Sequence, residues 1–274
     1  MSLDALTRIA ADRLPLFGRW PISAPTVRPS LLAPPGAAPT ERLLDTALRA
    51  IDAARSVSLD ALTARGVHRP PRLAGAAPAG DRARRRSGGS VLARVRRQTP
   101  HVAPRYPDVW PGEHYKLLAA LVGVLTPKIV IEIGTATGMS ALTMKSVLPE
   151  DGKIVTFDVM PWQQYPRTVL QAEDFADGRL EQHSDDLSSP AGWHKHADLL
   201  RRAEFILVDA IHDGVQERNF VRGFEEVGLA SGPIVMFDDI RLWEMLTFWR
   251  ELTRPKLDLT SFGHWSGTGL VDYA

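Results

Sequence analysis

The chain has 274 residues, no cysteine and a formal net charge of +1, which combines +10 over residues 1–100 with −9 over residues 101–274. This length fits one large α/β domain or one domain with an appendage, and the lack of cysteine excludes disulfides, thiolate metal sites and cysteine nucleophiles. No apolar run reaches the roughly 18 residues that cross a bilayer and the N-terminus lacks the pattern of a secretory signal, so we expect a cytoplasmic protein without a membrane partner.

The first hundred residues contain 17 arginines, no lysine and seven acidic residues. Ser2 is placed to cap a short helix that ends near Leu14, and a proline-rich, irregular stretch follows. Thr40 then caps a longer helix over residues 40–56, whose apolar residues recur at helical spacing. These residues are Leu43, Leu44, Ala47, Leu48, Ile51 and Ala54. Residues 68–99 are rich in Arg, Pro, Gly and Ala and have little apolar surface to bury.

Beyond Pro111 a helix is expected over residues 112–126, and apolar runs then alternate with helical patterns. The expected strands are Lys128–Ile133, Lys153–Asp158, Arg179–His183, Ala203–Asp209, Pro233–Asp238, Lys256–Phe262 and Gly267–Tyr273. The expected helices between them are Met139–Leu148, Tyr165–Phe175, Trp193–Arg201, Val215–Leu229 and Arg241–Leu252. Continuous apolar strands that alternate with helices are typical of a parallel sheet covered on both faces. We therefore divide the chain into a helical, partly irregular extension (1–104) and an α/β domain (105–274).

The sharpest local motif joins the first strand to a helix through a glycine turn, from Glu132 through Gly134 to Gly138. Glycine allows a tight turn and the close approach of a ligand, and the helix N-terminus offers free N–H groups. A purely structural turn between strand and helix is the alternative. Glu132 before the glycines, and the missing third glycine of a dinucleotide fingerprint, favour adenosylmethionine over a nicotinamide dinucleotide.

Polar residues also follow the second and third strands. Asp158 ends the second strand about 20 residues beyond the glycine turn, where an acid is suited to ribose hydroxyls. Ser184 and Asp185 follow the third strand and are placed to address the edge of an adenine ring. Capping of a helix is the alternative for Asp158, and it fits the spacing of Asp185 and Asp186 equally well.

Three carboxylates end the fourth and fifth strands. Because neighbouring parallel strands end at the same edge of the sheet, Asp209, Asp238 and Asp239 are expected to converge. Close carboxylates repel one another unless a cation or protons intervene, and oxygen donors favour Mg²⁺, with Mn²⁺ or Ca²⁺ as alternatives. The other reading is that Asp238 or Asp239 caps the next helix and that Asp209 merely ends its strand.

His212 lies three residues beyond Asp209, on the loop above the expected site. An unperturbed imidazole titrates near neutral pH, which makes His212 a candidate general base, although a loop histidine is commonly a surface residue. Trp162 and Trp243 follow strand ends and are candidates to cover a ring or a sugar, with core packing as the alternative for Trp243. The segment 264–266 is read as a simple hairpin turn.

Together these residues resemble the class I adenosylmethionine-dependent methyltransferases. Within that class the chain resembles the metal-dependent O-methyltransferases of the catechol, caffeoyl-CoA and macrocin types, over about residues 105–274. The resemblance implies a Rossmann-like, doubly wound, mostly parallel sheet of seven strands in the order 3-2-1-4-5-7-6. It also implies three groups of cofactor contacts. They are Glu132, Gly134, Thr135, Gly138 and Ser140 for the methionine part, Asp158 for the ribose, and Ser184 and Asp185 beside the adenine.

The same resemblance implies that Asp209, Asp238 and Asp239 bind the metal ion, with Asp209 also beside the cofactor and in the catalytic centre. His212 stands where the catechol enzymes have a lysine base, and Asp239 stands where they have an asparagine. The implied reaction is in-line transfer of a methyl group from the sulfonium to a hydroxyl of a small molecule. Catechols, phenols and vicinal diols of sugars, in secondary metabolism, are the implied acceptors.

Other functions are open at this point. The Arg-rich segment suggests an RNA or DNA methyltransferase, but no aromatic residue lies between Trp20 and Tyr106 to stack on bases, which disfavours nucleic acid. A relative of the fold that binds adenosylmethionine but catalyses another reaction, such as cyclisation, or only binds it, would carry the same cofactor motif. The helix over residues 40–56 is expected to pack on the α/β domain or on a second copy in a homodimer.

Overall fold

The structure is a computed structural model of the chain, and it describes residues 39–56, 112–166 and 168–274. Several predictions lie outside the described residues: the helix after Ser2, the proline-rich stretch, the Arg-rich segment and the boundary between residues 104 and 105. None of the helices within the described ranges is long and apolar enough to cross a membrane.

The described residues form seven helices and seven strands. The helices are α1 (Glu41–Ser56), α2 (His114–Leu125), α3 (Met139–Val147), α4 (Pro190–Lys195), α5 (Ala197–Arg201), α6 (Val215–Val227) and α7 (Met245–Glu251). The strands are β1 (Ile129–Ile133), β2 (Lys153–Phe157), β3 (Leu180–His183), β4 (Phe205–Val208), β5 (Ile234–Asp238), β6 (Lys256–Asp258) and β7 (Thr268–Asp272). Each predicted strand is present, and the largest difference is that β6 ends at Asp258 instead of Phe262.

The strands form one sheet in the order β3-β2-β1-β4-β5-β7-β6, which confirms the implied fold. The first five strands pair in parallel, and β7 runs antiparallel to both β5 and β6. The chain winds outward from β1 to β3 on one side and from β4 to β5 on the other. Ligands of open α/β sheets bind at such a switch point, beyond the carboxyl ends of the strands.

Two apolar layers cover the faces of the sheet, because successive side chains of a strand point to opposite faces. Val130 of β1 packs in one layer and Ile131 packs in the other. The first layer contains buried residues of α1, α2 and α3, such as Leu43, Leu117 and Leu142. The second contains Trp193, Leu200, Phe220, Phe224 and Phe248, from α4 through α7.

Helix α1 begins as predicted, since the Thr40 hydroxyl accepts a hydrogen bond from the Leu43 N–H at 3.1 Å. Its buried stripe differs from the prediction. The buried residues are Leu43, Ala47, Ala50 and Ala54. Leu44 and Leu48 are exposed, Leu48 by 66%. The stripe packs on α2, so α1 shares the core of the α/β domain.

One predicted helix, Tyr165–Phe175, is wrong. The described residues of this segment form only a single 3₁₀ turn, Ala172–Asp174, and another turn, Trp162–Gln164, precedes it. The Val169 N–H donates to the carbonyl of Thr137 at 2.8 Å, and Leu170 lies against Gly138. The backbone is therefore tied to the glycine turn instead of bonding within a helix.

Two further helices have different bounds from those expected. The single helix expected over Trp193–Arg201 is instead two short helices, α4 and α5, with a break at His196. The first begins earlier, at Pro190, because the Ser189 hydroxyl caps it by accepting from the Gly192 N–H. The helix expected from Arg241 begins only at Met245. Residues 239–245 instead form consecutive turns, in which the Leu242 N–H donates to the Asp239 carbonyl at 2.9 Å.

Candidate functional site

A cleft of about 240 Å³ opens beyond the ends of β1, β2 and β4, at the switch point of the sheet. Four of the predicted site residues line it: Gly134, Asp158, Asp185 and Asp209. The other predicted cofactor residues do not line it. Glu132, Thr135, Gly138 and Ser140 are buried behind its wall, and Ser184 is exposed outside it. The position of the cleft agrees with the place where the fold predicts a ligand.

The glycine turn brings the end of β1 directly against the end of β4. Gly134 has φ 103°, and a Cβ atom there would lie 1.8 Å from the carbonyl oxygen of Asp209. Gly138 has φ 82° at the start of α3, and a Cβ atom there would lie 2.2 Å from Leu170 Cγ. Packing of the turn therefore requires both glycines, whether or not a ligand contacts the backbone.

Glu132 lies inside the sheet with its side chain fully buried. Within the part of the chain that the structure describes, neither carboxylate oxygen has a hydrogen-bond partner. Burial raises the pKa of Glu132 to about 8, with the charges of Asp209 and Asp158 acting in the same direction against the nearby Thr156 hydroxyl. A buried polar group without a partner is unusual in proteins and points to a group that is satisfied only when something binds.

Asp158 holds the loop after β2 and also faces the cleft. Its Oδ2 accepts from the Ala136 N–H and its Oδ1 from the Met160 N–H, both at 3.0 Å. It thus ties the glycine turn to its own loop and caps no helix. Each carboxylate oxygen can accept more than one hydrogen bond, so Asp158 keeps acceptor capacity for a ligand in the cleft.

Asp185 has two close nitrogen partners, Lys195 Nζ and His196 Nε2, each at 2.9 Å. These hydrogen bonds lower the pKa of Asp185. His183, Asp185 and His196 also form a group that could hold a metal ion. Asp186 accepts from the Ser188 N–H in the turn before α4, so the capping alternative describes Asp186 better than Asp185.

The three aspartates predicted to bind metal end β4 and β5. These strands pair with Val208 opposite Phe237, which brings Asp209 and Asp238 to the same level of the sheet. His212 Nε2 lies 3.3 Å from Asp209 Oδ1 and 3.5 Å from Asp239 Oδ2, so the imidazole lies between two carboxylates. Burial acts to lower the pKa of His212, but the hydrogen bond and charge of Asp209 and the charge of Asp239 raise it to about 9.

Two histidines that were not predicted as site residues complete this cluster. His114 Nδ1, at the start of α2, lies 3.6 Å from Asp238 Oδ1. His264 Nδ1 lies 2.9 Å from Asp239 Oδ1, and His264 Nε2 lies 4.0 Å from Asp238 Oδ2. The Ser266 hydroxyl donates to Asp239. Although burial acts to raise the pKa of Asp239, the bonds from His264 and Ser266 lower it overall.

The cluster divides into two overlapping groups whose candidate ligand atoms lie within 4.8 Å of one another. They are His114–Asp209–Asp238 and Asp238–Asp239–His264, so Asp238 is common to both. Among the described residues, His114 Nδ1 and Asp238 Oδ1 are buried and have no hydrogen-bond partner. Carboxylate oxygens and orphaned buried atoms are what a bound divalent cation would satisfy, so this donor set fits a metal ion.

Backbone strain is concentrated around the same cluster. His212, Asp239 and Trp243 have φ of 62°, 56° and 37°, a region that costs roughly 1 kcal/mol or more for a residue other than glycine. Such strain is found where a structure holds side chains for function. Trp243 is 84% exposed, so the core-packing alternative for this residue is wrong.

The O-methyltransferase family model matches residues 86–248, which is more than half of the chain. The chain belongs to this family. It is thus an adenosylmethionine-dependent methyltransferase of class I fold, as the motif residues predicted, and not a nicotinamide dehydrogenase. No curated protein sequence matches the methyltransferase.

Several solved structures are similar to the methyltransferase. A methyltransferase of Geobacter sulfurreducens is 14% identical over 72% of this chain and 91% of its own, with a TM-score of 0.48. The O-methyltransferase TomG of Streptomyces achromogenes, involved in tomaymycin synthesis, is 19% identical over 67% and 89%, with a TM-score of 0.46. A Podospora anserina methyltransferase is 17% identical over 74% and 100%, with a TM-score of 0.46. These values are too low to carry information on substrate or metal.

The two histidines missed in the sequence of the methyltransferase left weak signals. His114 begins a helix whose other buried residues are all apolar, and a buried polar residue in such a place needs a partner. His264 lies in the segment that was read as a hairpin turn. An isolated bridge between Gly112 and His264 brings the start of α2 next to His264, and this pairing has no local sequence pattern.

Proposed function

We propose that this methyltransferase transfers the methyl group of adenosylmethionine to a hydroxyl group of a small molecule and depends on a divalent cation. The observation that carries the proposal is a carboxylate cluster in which Asp238 shares one candidate metal group with Asp209 and another with Asp239, while Asp209 also lines the cleft. Such carboxylates repel one another unless a cation lies among them. Mg²⁺ is the ion that the family resemblance implies, with Mn²⁺ or Ca²⁺ as alternatives.

In this proposal adenosylmethionine lies in the cleft. Asp158 accepts hydrogen bonds from the ribose through lone pairs that its two backbone contacts leave available. Asp185 stands at the adenine end, and Asp209 stands between the cofactor and the metal ligands. The remaining predicted contacts are Gly134 on the wall, Glu132, Thr135, Gly138 and Ser140 behind it, and Ser184 at the outer edge.

The aspartates Asp209, Asp238 and Asp239 would hold the cation, and the orphaned Oδ1 of Asp238 supports this assignment. A bound cation lowers the pKa of an acceptor hydroxyl and fixes the position of its oxygen. The protein residues around the cation then keep the acceptor oxygen in line with the methyl group. This orientation accelerates an in-line displacement.

His212 is the proposed general base. Its Nε2 is directed at the carboxylates of Asp209 and Asp239, on the side where an acceptor hydroxyl would lie. The loop that carries it is fixed by the buried Glu217, which accepts from the His212 N–H at 3.2 Å and from the Gly214 N–H at 2.8 Å. A bound cation would offset the charges of Asp209 and Asp239 that raise the pKa of His212. The neutral imidazole would then accept the hydroxyl proton as the oxygen attacks the methyl group.

Two exposed tryptophans supply the proposed walls for the acceptor. Trp243 follows the aspartate pair, and Trp265 adjoins His264 and is 62% exposed. Flat apolar faces beside a metal site suit a catechol, a phenol or the vicinal diol of a sugar, which is the chemistry expected of secondary metabolism. Cytoplasmic location, and a homodimer formed through the N-terminal helices, remain predictions.

The proposal is tested by measuring adenosylhomocysteine formed from adenosylmethionine, Mg²⁺ and a panel of catechols, phenols and sugar diols. We expect turnover with at least one acceptor, its loss in EDTA and its recovery when Mg²⁺ is added back. Asp209→Asn should reduce turnover by roughly a hundredfold or more, because it removes a ligand charge at the centre of the site. His194→Asn, on the exposed side of α4, is the control and should retain turnover. Turnover that survives both EDTA and Asp209→Asn would remove the metal from the proposal.

A further inference from the structure

We propose that the metal centre has mixed nitrogen and oxygen donors, in which His114 binds the ion directly together with Asp238 and Asp209. The centre would then favour first-row transition ions over Mg²⁺. This inference rests on the proposed function, because it concerns the ion held by the same aspartates. It goes further by assigning a ligand from a helix that carries no predicted site residue.

The side chain of His114 is the first observation that supports a nitrogen ligand. Only 2% of it is exposed, and its Nδ1 has no hydrogen-bond partner among the described residues. Its ring meets Tyr115 and His264 edge-on, at centroid distances of 5.0 Å and 5.6 Å. The ring is thus held in place by neighbours while Nδ1 is directed into the carboxylate cluster. An imidazole nitrogen held this way without a proton partner is a ready ligand.

The spacing of His114 and Asp238 is the second observation. The 3.6 Å between His114 Nδ1 and Asp238 Oδ1 is too long for a hydrogen bond, although both atoms are buried. Two ligands that each lie about 2.1 Å from one ion are roughly 3 to 4.2 Å apart. Asp209 contributes a third candidate ligand atom within 4.8 Å of one from each of these residues. The separation therefore fits a shared ion better than a direct contact.

His264 lies on the other side of Asp238 and has a different role. Its Nδ1 is already engaged by Asp239 at 2.9 Å and by the Ser266 hydroxyl. These contacts fix the ring and leave Nε2 facing Asp238 Oδ2 at 4.0 Å. His264 is thus a positioning residue for Asp238 and Asp239, whereas His114 Nδ1 has no hydrogen-bond partner within the described ranges.

The donor set decides which ion is favoured. Mg²⁺ prefers six oxygen ligands and keeps several waters, whereas imidazole donors suit Fe²⁺, Co²⁺, Ni²⁺ and Zn²⁺. With carboxylate ligands alone, the centre would be an ordinary oxygen site for Mg²⁺. One buried imidazole nitrogen in place of an oxygen shifts the preference to the transition ions, and no thiolate is present to compete, since the chain has no cysteine.

The inference is tested by calorimetric titration of the full chain with Co²⁺ and with Mg²⁺, and by pulsed EPR of bound Mn²⁺. We expect nitrogen coupling in the EPR spectrum and a higher affinity for Co²⁺ than for Mg²⁺. His114→Asn, which keeps an amide near the position of Nδ1, should remove the coupling. It should also weaken Co²⁺ binding by roughly tenfold or more while Mg²⁺ affinity changes little. Matching thermal melts of the variant and the parent chain exclude a folding defect.

A matched control separates this centre from the second histidine group of the molecule. His183→Asn removes a donor from the group formed with Asp185 and His196, and it should leave both the nitrogen coupling and the ion preference unchanged. If the signal disappears in His183→Asn and persists in His114→Asn, the ion lies in that other group and the inference is overturned. If the parent chain itself shows no nitrogen coupling and binds Mg²⁺ as tightly as His114→Asn does, the inference is overturned while the proposed function stands. No binding of any of the three ions overturns both.

Discussion

At the scale of single residues, Glu132 is a group that lowers the stability of the fold at the proposed site. A carboxyl group that is fully buried without a hydrogen-bond partner in the described residues destabilises the ligand-free fold. Asp209 and Asp158 add negative charge nearby, and only the Thr156 hydroxyl and His114 act in the opposite direction. Retaining an acid at this position is therefore expected to serve binding of the cationic cofactor.

Replacing this acid gives a prediction with two opposite effects. The folded pKa of Glu132, about 8, exceeds its ordinary value, so the group reduces stability progressively as the pH rises from about 4.5 to about 8. Glu132→Gln should then stabilise the ligand-free chain at pH 8 by on the order of 3 kcal/mol, measured by denaturant unfolding. The same variant should bind adenosylmethionine more weakly, because it has no negative charge to offer the sulfonium or ammonium group.

The control is Glu173→Gln, which changes an exposed glutamate and should alter neither quantity. A Glu132→Gln chain that is no more stable at pH 8 than at pH 5, relative to the parent, would contradict the burial argument. Unchanged cofactor affinity would instead remove Glu132 from the binding site.

Residues of the site differ in how far the sequence predicts them. Asp209 and Asp238 were predicted to meet because each directly follows an apolar strand, and parallel register then determines their neighbourhood. His114 and His264 come from a helix and a loop, and their approach depends on the bridge between Gly112 and His264. Such a contact joins parts of the chain that are far apart in sequence, so no residue spacing in the sequence predicts it.

Helices and strands show the same limit. A local sequence pattern predicts an element correctly only where contacts with distant parts of the chain do not override it. The strands have continuous apolar runs and were predicted within a few residues. The segment 165–175 has helical spacing, yet the bonds from Val169 to Thr137 and the contact of Leu170 with Gly138 override it. In α1, Leu48 shares the helical spacing of the apolar stripe but is exposed, since the face that packs on α2 is set by Leu43 and Ala47.

Helix α1 is attached to the sheet at its first turn by a buried carboxylate, Asp272 at the end of β7. Arg42 pairs with this carboxylate and also donates to the Gly232 carbonyl at 2.8 Å, while the Thr40 hydroxyl donates to Asp272 as well. Arg42→Ala should lower the free energy of unfolding by about 1–3 kcal/mol, because it removes the cationic partner of a buried carboxylate and leaves it only the neutral donors Thr40 and Ala274. Arg49→Ala, on the exposed side of α1, should change it by about 0.5 kcal/mol or less.

The same contact gives α1 a dependence on pH. Burial acts to raise the pKa of Asp272, but the hydrogen bonds from Arg42 and Thr40 lower it overall. The carboxylate therefore contributes stability above the pKa of an unfolded aspartate, about 3.9, and this contribution is lost as the pH falls through the lower folded value. The parent chain should lose more stability than Arg42→Ala between about pH 5 and pH 3. Parallel losses in the two chains would show that the pairing is not formed in solution.

At the scale of the whole molecule, the acidic and basic parts of the chain that sum to the charge of +1 can be compared with the core. The described α/β elements lie in the acidic part of the chain, and α1 is a segment of the basic part that nevertheless belongs to the same core. A boundary drawn between residues 104 and 105 would therefore remove part of the core of the methyltransferase. The predicted division into an extension and a domain follows the change in composition along the chain. Helix α1 lies before the predicted boundary and yet packs in the core of the α/β domain.

Truncation tests this directly. A chain that starts at residue 57 loses the buried stripe of Leu43, Ala47, Ala50 and Ala54 and exposes the face of α2 that it covers. With one leucine and three alanines removed from the core, the free energy of unfolding should fall by roughly 3–6 kcal/mol. A chain that starts at residue 39 keeps α1 and its contact with Asp272, so its thermal melt should stay close to that of the full chain. If both truncated chains melt together with the full chain, α1 contributes nothing to the core. If both melt early, the stabilisation comes from residues before 39.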